Sequence, residues 1–169
     1  FRGCTRGCRF CQAGIIYRPV RERSVDCLLE LAEKSIRQTG YEEISLSSLS
    51  SSDYSHIDEI TKILVDRYQK KGIGISLPSL RIDSFSLFLA EQTQKVRKTG
   101  LTFAPEVGSE RMSKIINKNV NAQDLYKTVQ NALEMGWRRM KLYFMIGLPC
   151  ETWDDIEDIV KLIKKVEIM

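Results

Sequence analysis

Apolar residues recur along this chain in two alternating rhythms. Val25, Leu28, Leu29, Ala32 and Ile36 return at the spacing of one helical face, behind Ser24 as an N-cap and ahead of Gly40 as a stop. Ile44 and Leu46 then alternate as a short strand does. The exchange repeats. Ile57, Ile60, Ile63 and Leu64 predict a second helix, and Ile73, Ile75 and Leu77 a second strand between Gly72 and Pro78. Asp83 or Ser84 caps a helix carrying Phe85, Phe88, Leu89 and Val96, and Leu101 to Ala104 follows as a third strand. Ser109 opens a short helical turn around Met112 and Ile115, and Asn121 caps a longer helix with Leu125, Val129, Ala132 and Leu133. Arg139 to Ile146 reads as a fourth strand, broken at Gly147-Leu148-Pro149. Thr152 with Asp155 three residues on has the form of a capping box, and Ile156, Ile159, Val160 and Ile163 mark the last helix.

Strand–helix repetition at roughly 30 to 35 residues per unit is the pattern of parallel βαβ units with right-handed crossovers. A strand is expected just upstream of Phe1, which makes five units, fewer than the eight of a closed TIM barrel. The fold class expected is therefore α/β, an open, partial (β/α) barrel of parallel strands truncated at its first strand. A doubly wound sheet has the same periodicity and remains the alternative. Residues 1–169 read as one domain and, since Phe1 is not an initiator methionine, as a fragment of a longer protein. Ligands of such folds sit where the βα loops gather at the carboxyl ends of the strands. Here those loops are polar or glycine-rich: Ser47-Ser48-Leu49-Ser50-Ser51-Ser52-Asp53, Pro78-Ser79-Leu80-Arg81, Pro105-Glu106-Val107-Gly108-Ser109 and Gly147-Leu148-Pro149-Cys150-Glu151-Thr152. The serine run reads as too polar for a core.

Composition adds exclusions. The hydrophobic share is 43% and the charged share 28%, ordinary for a globular domain with no membrane span. One histidine, His56, removes paired-histidine hydrolase and facial iron sites; placed at a helix start, it is expected on the surface. Five cysteines, an odd number, argue against a secreted disulfide framework and for a reducing cytoplasm. The net charge is +4, with Arg2, Arg6, Arg9, Arg18, Arg21 and Arg23 clustered early. The plain reading is counter-charge for thiolates and solvated loop arginines; the sharper one is a phosphate-bearing substrate such as RNA. No interleaved aromatic platform accompanies the arginines, so the plain reading leads.

The chain is organised around Cys4-Thr5-Arg6-Gly7-Cys8-Arg9-Phe10-Cys11. Three thiols at this spacing can turn inward on one tight loop and offer thiolates to zinc, copper(I) or an iron–sulfur cluster. Gly3 and Gly7 suit the wrapping. A [4Fe–4S] cube normally takes four cysteines, so a three-cysteine site leaves one iron open. A zinc knuckle, or a loop that never meets a metal, explains the same spacing. Cys27 is expected in the core of its helix face, and Cys150 as a small packing residue rather than a reactive thiol.

The three-cysteine loop, with Phe10 before its last cysteine, resembles the signature of the radical S-adenosylmethionine (radical SAM) enzymes. Phe103-Ala104-Pro105-Glu106-Val107-Gly108-Ser109-Glu110-Arg111 is similar to the family's fourth-strand E-x-G-S pattern. Phe144-Met145-Ile146-Gly147-Leu148-Pro149-Cys150-Glu151-Thr152 resembles its G-x-P-G-E-T stretch, with Cys150 where the family commonly has glycine. The usual Gly-Gly-Glu motif is replaced by Leu46-Ser47-Ser48-Leu49-Ser50. The resemblance implies a [4Fe–4S] cluster on Cys4, Cys8 and Cys11, with SAM chelating the open iron and cleaved reductively to a 5′-deoxyadenosyl radical. It implies that Phe10 offers its backbone to the adenine and its ring to packing, and that Gly147 and Pro149 shape the adenine pocket. Ser47 and Ser48 become candidates for the methionine end, and Glu106 and Arg81 for the ribose hydroxyls and the carboxylate. An electron donor of the flavodoxin or ferredoxin kind is implied as a partner. Ser76-Leu77-Pro78-Ser79-Leu80-Arg81-Ile82-Asp83 resembles the third strand of the cobalamin-binding radical SAM proteins, and the methylthiotransferases acting on tRNA or ribosomal protein are the other nearest kin. Methyl or methylthio transfer to an RNA or protein is the reaction this suggests. No cobalamin motif lies in these residues, so that cofactor enters only through a domain outside them. An iron–sulfur electron-transfer module and a zinc-stabilised RNA-binding domain are the competing classes.

Overall fold

The computed structural model describes residues 2–78, 81–82, 87–94, 100–118 and 120–169, with backbone alone at 87, 90, 93 and 94. The expected caps Asp83 and Ser84, the apolar positions Phe85 and Val96, and Ser79-Leu80 lie outside the described residues. The chain divides into two compact units: residues 1–4, 17–80 and 84–99 form the first, and residues 5–16, 81–83 and 100–169 the second.

In the first unit the helix-strand alternation folds as its pattern requires. Helix α2 (Val25–Thr39) begins where the Ser24 hydroxyl accepts the Cys27 N–H at 3.3 Å, and ends where Gly40, at φ +69°, turns its N–H back to the Ile36 carbonyl. A left-handed residue there suits glycine, which has no Cβ to clash. Strand β1 (Glu43–Ser45) pairs in parallel with β2 (Gly74–Ser76), placing Ile44 beside Ile75. Helix α3 (Ile57–Tyr68) crosses between them and buries Ile60, Leu64 and Val65 completely. Each such side chain contributes about 1.5 to 3 kcal/mol when removed from water. They pack with Ala32, Tyr54, Tyr68, Ile73 and Ile75 into one cluster, and α4 (Leu87–Gln94) adds the buried Leu89 to this unit. His56 is exposed at the start of α3 and pairs with Glu59, as its position suggests.

Two expectations fail in this unit. Ser50 and Ser51 are buried, although the serine run reads as too polar for that. Burial is tolerated because both hydroxyls are satisfied: Ser50 donates to Asp53 at 2.7 Å, and Ser51 donates to the Leu46 and Pro78 carbonyls. Cys27 is half-buried beside the Arg23 guanidinium, 3.7 Å from its Sγ, rather than in the core. Only Ala32 of α2 is fully buried, so Cys27 lies on the flank of that face.

The second unit holds the short helix α1 (Ala13–Ile16), β3 (Leu101–Glu106), α5 (Glu110–Ile115), α6 (Ala122–Glu134), β4 (Met140–Phe144) and α7 (Trp153–Ile168). β3 and β4 are parallel, with Phe103 opposite Leu142 and Glu106 opposite Phe144. β3 advances three residues while β4 advances two, so β3 carries a bulge over Ala104-Pro105. The strand was expected to stop at Ala104. It runs on because a bulge leaves a residue unpaired, which is where a proline without an N–H fits a strand. Phe103, Met112, Leu125, Val129 and Ala132 are the most deeply buried apolar residues of this unit. Ser109 and Asn121 cap α5 and α6 as the sequence indicates, accepting from the Met112 and Asp124 N–H groups. Both described strand pairs are parallel, the class is α/β, and no closed ring of strands is present among the described residues.

Gly108 is fixed by a close approach. A Cβ built on it lies 2.2 Å from the Ile159 nitrogen and 2.4 Å from the Asp158 carbonyl carbon, both backbone atoms of α7. Backbone cannot step aside as a side chain does. Gly108→Ala is expected to lower unfolding stability by about 3 kcal/mol or more, read from the urea midpoint; an unchanged midpoint would show that α7 is not seated against this loop.

Candidate functional site

The cysteine loop is built by turns that its glycines permit. Gly3 is buried at φ +88°, where a Cβ would meet the Tyr17 carbonyl oxygen at 2.7 Å, and Gly7 takes φ +68°. The Cys11 N–H closes a turn on the Cys8 carbonyl at 3.0 Å. The loop is then bolted to the C-terminal end of α5. The Arg9 N–H donates to the Ile116 carbonyl at 2.9 Å, the Arg9 guanidinium donates to the Ile115 carbonyl, and the Asn117 amide donates to the Gly7 carbonyl at 3.0 Å. A cation suits the carbonyl end of a helix. Neither Arg9 nor Asn117 was singled out from sequence for this role.

Cys4, Cys8 and Cys11 are all half-buried free thiols. Their chemistry suits an iron–sulfur centre, since three unpaired thiols are soft donors that need only deprotonate. Cys4 belongs to the first unit, and Cys8 and Cys11 to the second. The Phe10 ring was expected to pack; it is 38% exposed.

Ser47 and Ser48 follow β1 in the first unit. Ser47 is exposed, and the Ser48 hydroxyl accepts the Ser50 N–H at 3.0 Å. Both border a cavity of about 210 Å³ whose wall includes Leu28, Ile44, Leu46 and Tyr54.

The remaining candidates gather in the second unit. Glu106 ends β3 at φ +70°, a left-handed conformation that costs a non-glycine residue of order 1 kcal/mol. Its carbonyl accepts the Met145 N–H at 2.7 Å, and its carboxylate pairs with Lys118 at 2.8 Å, with both side chains largely covered. The half-buried Arg81 donates to the Lys118 carbonyl at 3.3 Å. Gly147 takes φ +86° and donates its N–H to the Glu151 carboxylate at 2.6 Å; Pro149 is exposed beside it. Cys150 is exposed at φ +65°, a conformation that favours glycine. That agrees with its standing in a glycine position.

A residue read from sequence only as a cap ties these loops together. The Asp155 carboxylate is buried and accepts from the Ser109 hydroxyl at 2.6 Å, from the Arg111 guanidinium, and from the Thr152 N–H and hydroxyl at 2.9 and 2.7 Å. Arg111 also donates to the Cys150 carbonyl at 2.8 Å. The capping-box spacing of Thr152 and Asp155 was the available signal; Arg111 and Lys118 gave none.

The family model described as the Radical SAM superfamily matches residues 1–163. The chain belongs to the Radical SAM superfamily. The cofactors of that superfamily are a [4Fe–4S] cluster and SAM. This radical SAM chain is 40% identical over 167 residues to the uncharacterized protein MJ0966 of Methanocaldococcus jannaschii, covering 98% of itself and 36% of that protein. It is 23% identical over 171 residues to the ribosomal protein uS12 methylthiotransferase RimO of Thermoanaerobacter sp., covering 96% and 39%. It superposes on the radical SAM enzyme coproporphyrinogen III oxidase (HemN) of Escherichia coli with a TM-score of 0.70 at 12% identity, covering 98% of the chain and 40% of HemN. That likeness supports the open, partial barrel over the doubly wound alternative. The radical SAM chain thus spans little more than a third of the length of these relatives. No described helix is long and apolar enough to cross a membrane.

Arg111 first, then Ser109 and Thr152, hold the Asp155 carboxyl well below the usual carboxylate range. A depressed pKa contributes stability that is fully present above the unfolded value near about 3.9 and is lost as pH falls toward the folded value. Asp155→Asn is expected to be less stable than the parent at pH 7 and to close that gap as pH falls below about 4. Urea midpoints at the two pH values check this; a gap that persists in acid would mean the carboxylate charge is not what stabilises the clamp.

Proposed function

We propose that residues 1–169 act as the core domain of a longer radical SAM protein, with Cys4, Cys8 and Cys11 holding three irons of a [4Fe–4S] cluster. The observation that carries this is the family match across residues 1–163, joined to three half-buried, disulfide-free thiols in the motif. When bound, the cluster supplies the electron that cleaves SAM reductively to methionine and a 5′-deoxyadenosyl radical.

The chain's own residues position the pieces. Arg9 and Asn117 hold the Cys8–Cys11 turn on the end of α5. Ser47 and Ser48 offer hydroxyls to the methionine end of SAM, and the Phe10 backbone, Gly147 and Pro149 border its adenine. Glu106, paired with Lys118, accepts from the ribose hydroxyls, and Arg81 faces the methionine carboxylate with a forked donor. A flavodoxin- or ferredoxin-like protein delivers the electron in a reducing cytoplasm. The onward reaction is transfer of a methyl or methylthio group to an RNA or protein. Its support is the RimO likeness at 23% identity.

The test is anaerobic reconstitution of the full-length protein with iron and sulfide, followed by reductant and SAM. Release of 5′-deoxyadenosine is expected. A cluster without SAM cleavage would make the protein an electron carrier, and tight zinc without iron a binding module. Cys8→Ala is expected to reduce both iron content and 5′-deoxyadenosine release to background; retention of either refutes its role.

A further inference from the structure

Three arginines of the first unit share one groove. Arg2, Arg21 and Arg23, with Glu22, Ser47, Leu28 and Leu31, line a cavity of about 360 Å³. The backbone beneath them is pinned at several points. Arg2 and Arg21 exchange both N–H···O=C bonds at 2.9 Å as an isolated antiparallel pair. Gly3 packs so tightly on the 17–20 turn that a Cβ has no room. The Arg23 carbonyl accepts the Tyr54 hydroxyl at 2.8 Å, and the Glu22 carboxylate accepts the Ser55 N–H at 3.2 Å. Burial first, then Glu22 and Glu59, push the Tyr54 phenol up, so it stays a proton donor to that carbonyl.

The guanidinium groups are held far less. All three arginines are exposed. No side-chain hydrogen bond or ion pair engages Arg2 or Arg21 among the described residues, and Arg23 makes one long contact to the Cys27 sulfur. Directly opposed residues of an antiparallel pair project to the same face, and like charges there repel. Glu22 is the one acid in the groove's lining, and its carboxylate accepts the Ser55 N–H. The fold therefore fixes a backbone that sets two cations side by side with a third two residues on, three positive groups against the single Glu22 carboxylate. Pre-arranged donors lower the ordering cost of a ligand that neutralises them.

We propose that this groove binds a phosphate monoester, its phosphate on Arg2, Arg21 and Arg23 and its organic body over Leu28 and Leu31. A monoester carries close to two negative charges and three acceptor oxygens, enough for several guanidinium forks. A carboxylate or an internal phosphodiester carries one charge and fewer free oxygens. Binding here needs neither cluster nor SAM, so it stands or falls separately from the redox chemistry.

The experiment is calorimetric titration of the full-length protein, without reconstitution, using phenyl phosphate, inorganic phosphate, diphenyl phosphate and benzoate as probes. Phenyl phosphate is expected to bind about tenfold or more tightly than the diester or benzoate, and more tightly than inorganic phosphate. Arg2→Ala and Arg21→Ala are each expected to weaken it about tenfold or more, with melting temperatures showing both variants folded. Leu31→Ala is expected to weaken phenyl phosphate and leave inorganic phosphate unchanged. Equal weak binding of all four anions, or phenyl phosphate affinity unaltered in folded arginine variants, overturns the proposal. So does arginine-dependent binding of a twelve-nucleotide RNA lacking terminal phosphates, if phenyl phosphate does not compete.

Discussion

Much of the second unit depends on one buried carboxylate. Asp155 takes donors from the loop after β3 through Ser109, from the first turn of α5 through Arg111, and from the start of its own helix through Thr152. A buried charge left unpaired is costly, so these four donors and this acceptor hold one arrangement or lose much of their favourable energy. Gly108, seated on the α7 backbone, makes the same contact steric. Charge and shape thus fix the two loops in which the family motifs lie.

Backbone strain collects in the same unit. The non-glycine residues at positive φ among those described are Glu106, Asn117 and Cys150. Glu106 ends β3, Asn117 follows α5 and reaches the cysteine loop, and Cys150 precedes α7. Such conformations persist only where surroundings over-determine them. Here the Glu106 pair with Lys118, the Asn117 bond to Gly7 and the Arg111 bond to the Cys150 carbonyl do so. The cysteine loop and the loops after both strands of this unit are accordingly well-braced parts of the molecule.

Much of the order of elements was legible from periodicity, because burying one face imposes a spacing on helix and strand alike. Ser24, Ser109 and Asn121 named their helices' starts, since a short side-chain acceptor next to free N–H groups acts locally. The cysteine spacing and the E-x-G-S and G-L-P-x-E-T stretches carried the family for the same reason: each is a contiguous motif. The burial of Ser50 and Ser51 was not legible, because it rests on carbonyls as distant as Pro78. The continuation of β3 through Pro105 was hidden too, since a bulge is defined by the partner strand.

The sequence alone determined the alternation of helices and strands, the capping residues, the three-cysteine motif and the glycine-like place of Cys150, because each is written within a few neighbouring residues. Only the tertiary structure decided that Asp155 is a clamp, that Glu106 belongs to Lys118, that Arg9 grips the end of α5, and that Arg2 faces Arg21. Those pairings join residues from 12 to 107 positions apart. No local pattern encodes a contact whose partners meet only after the chain has packed.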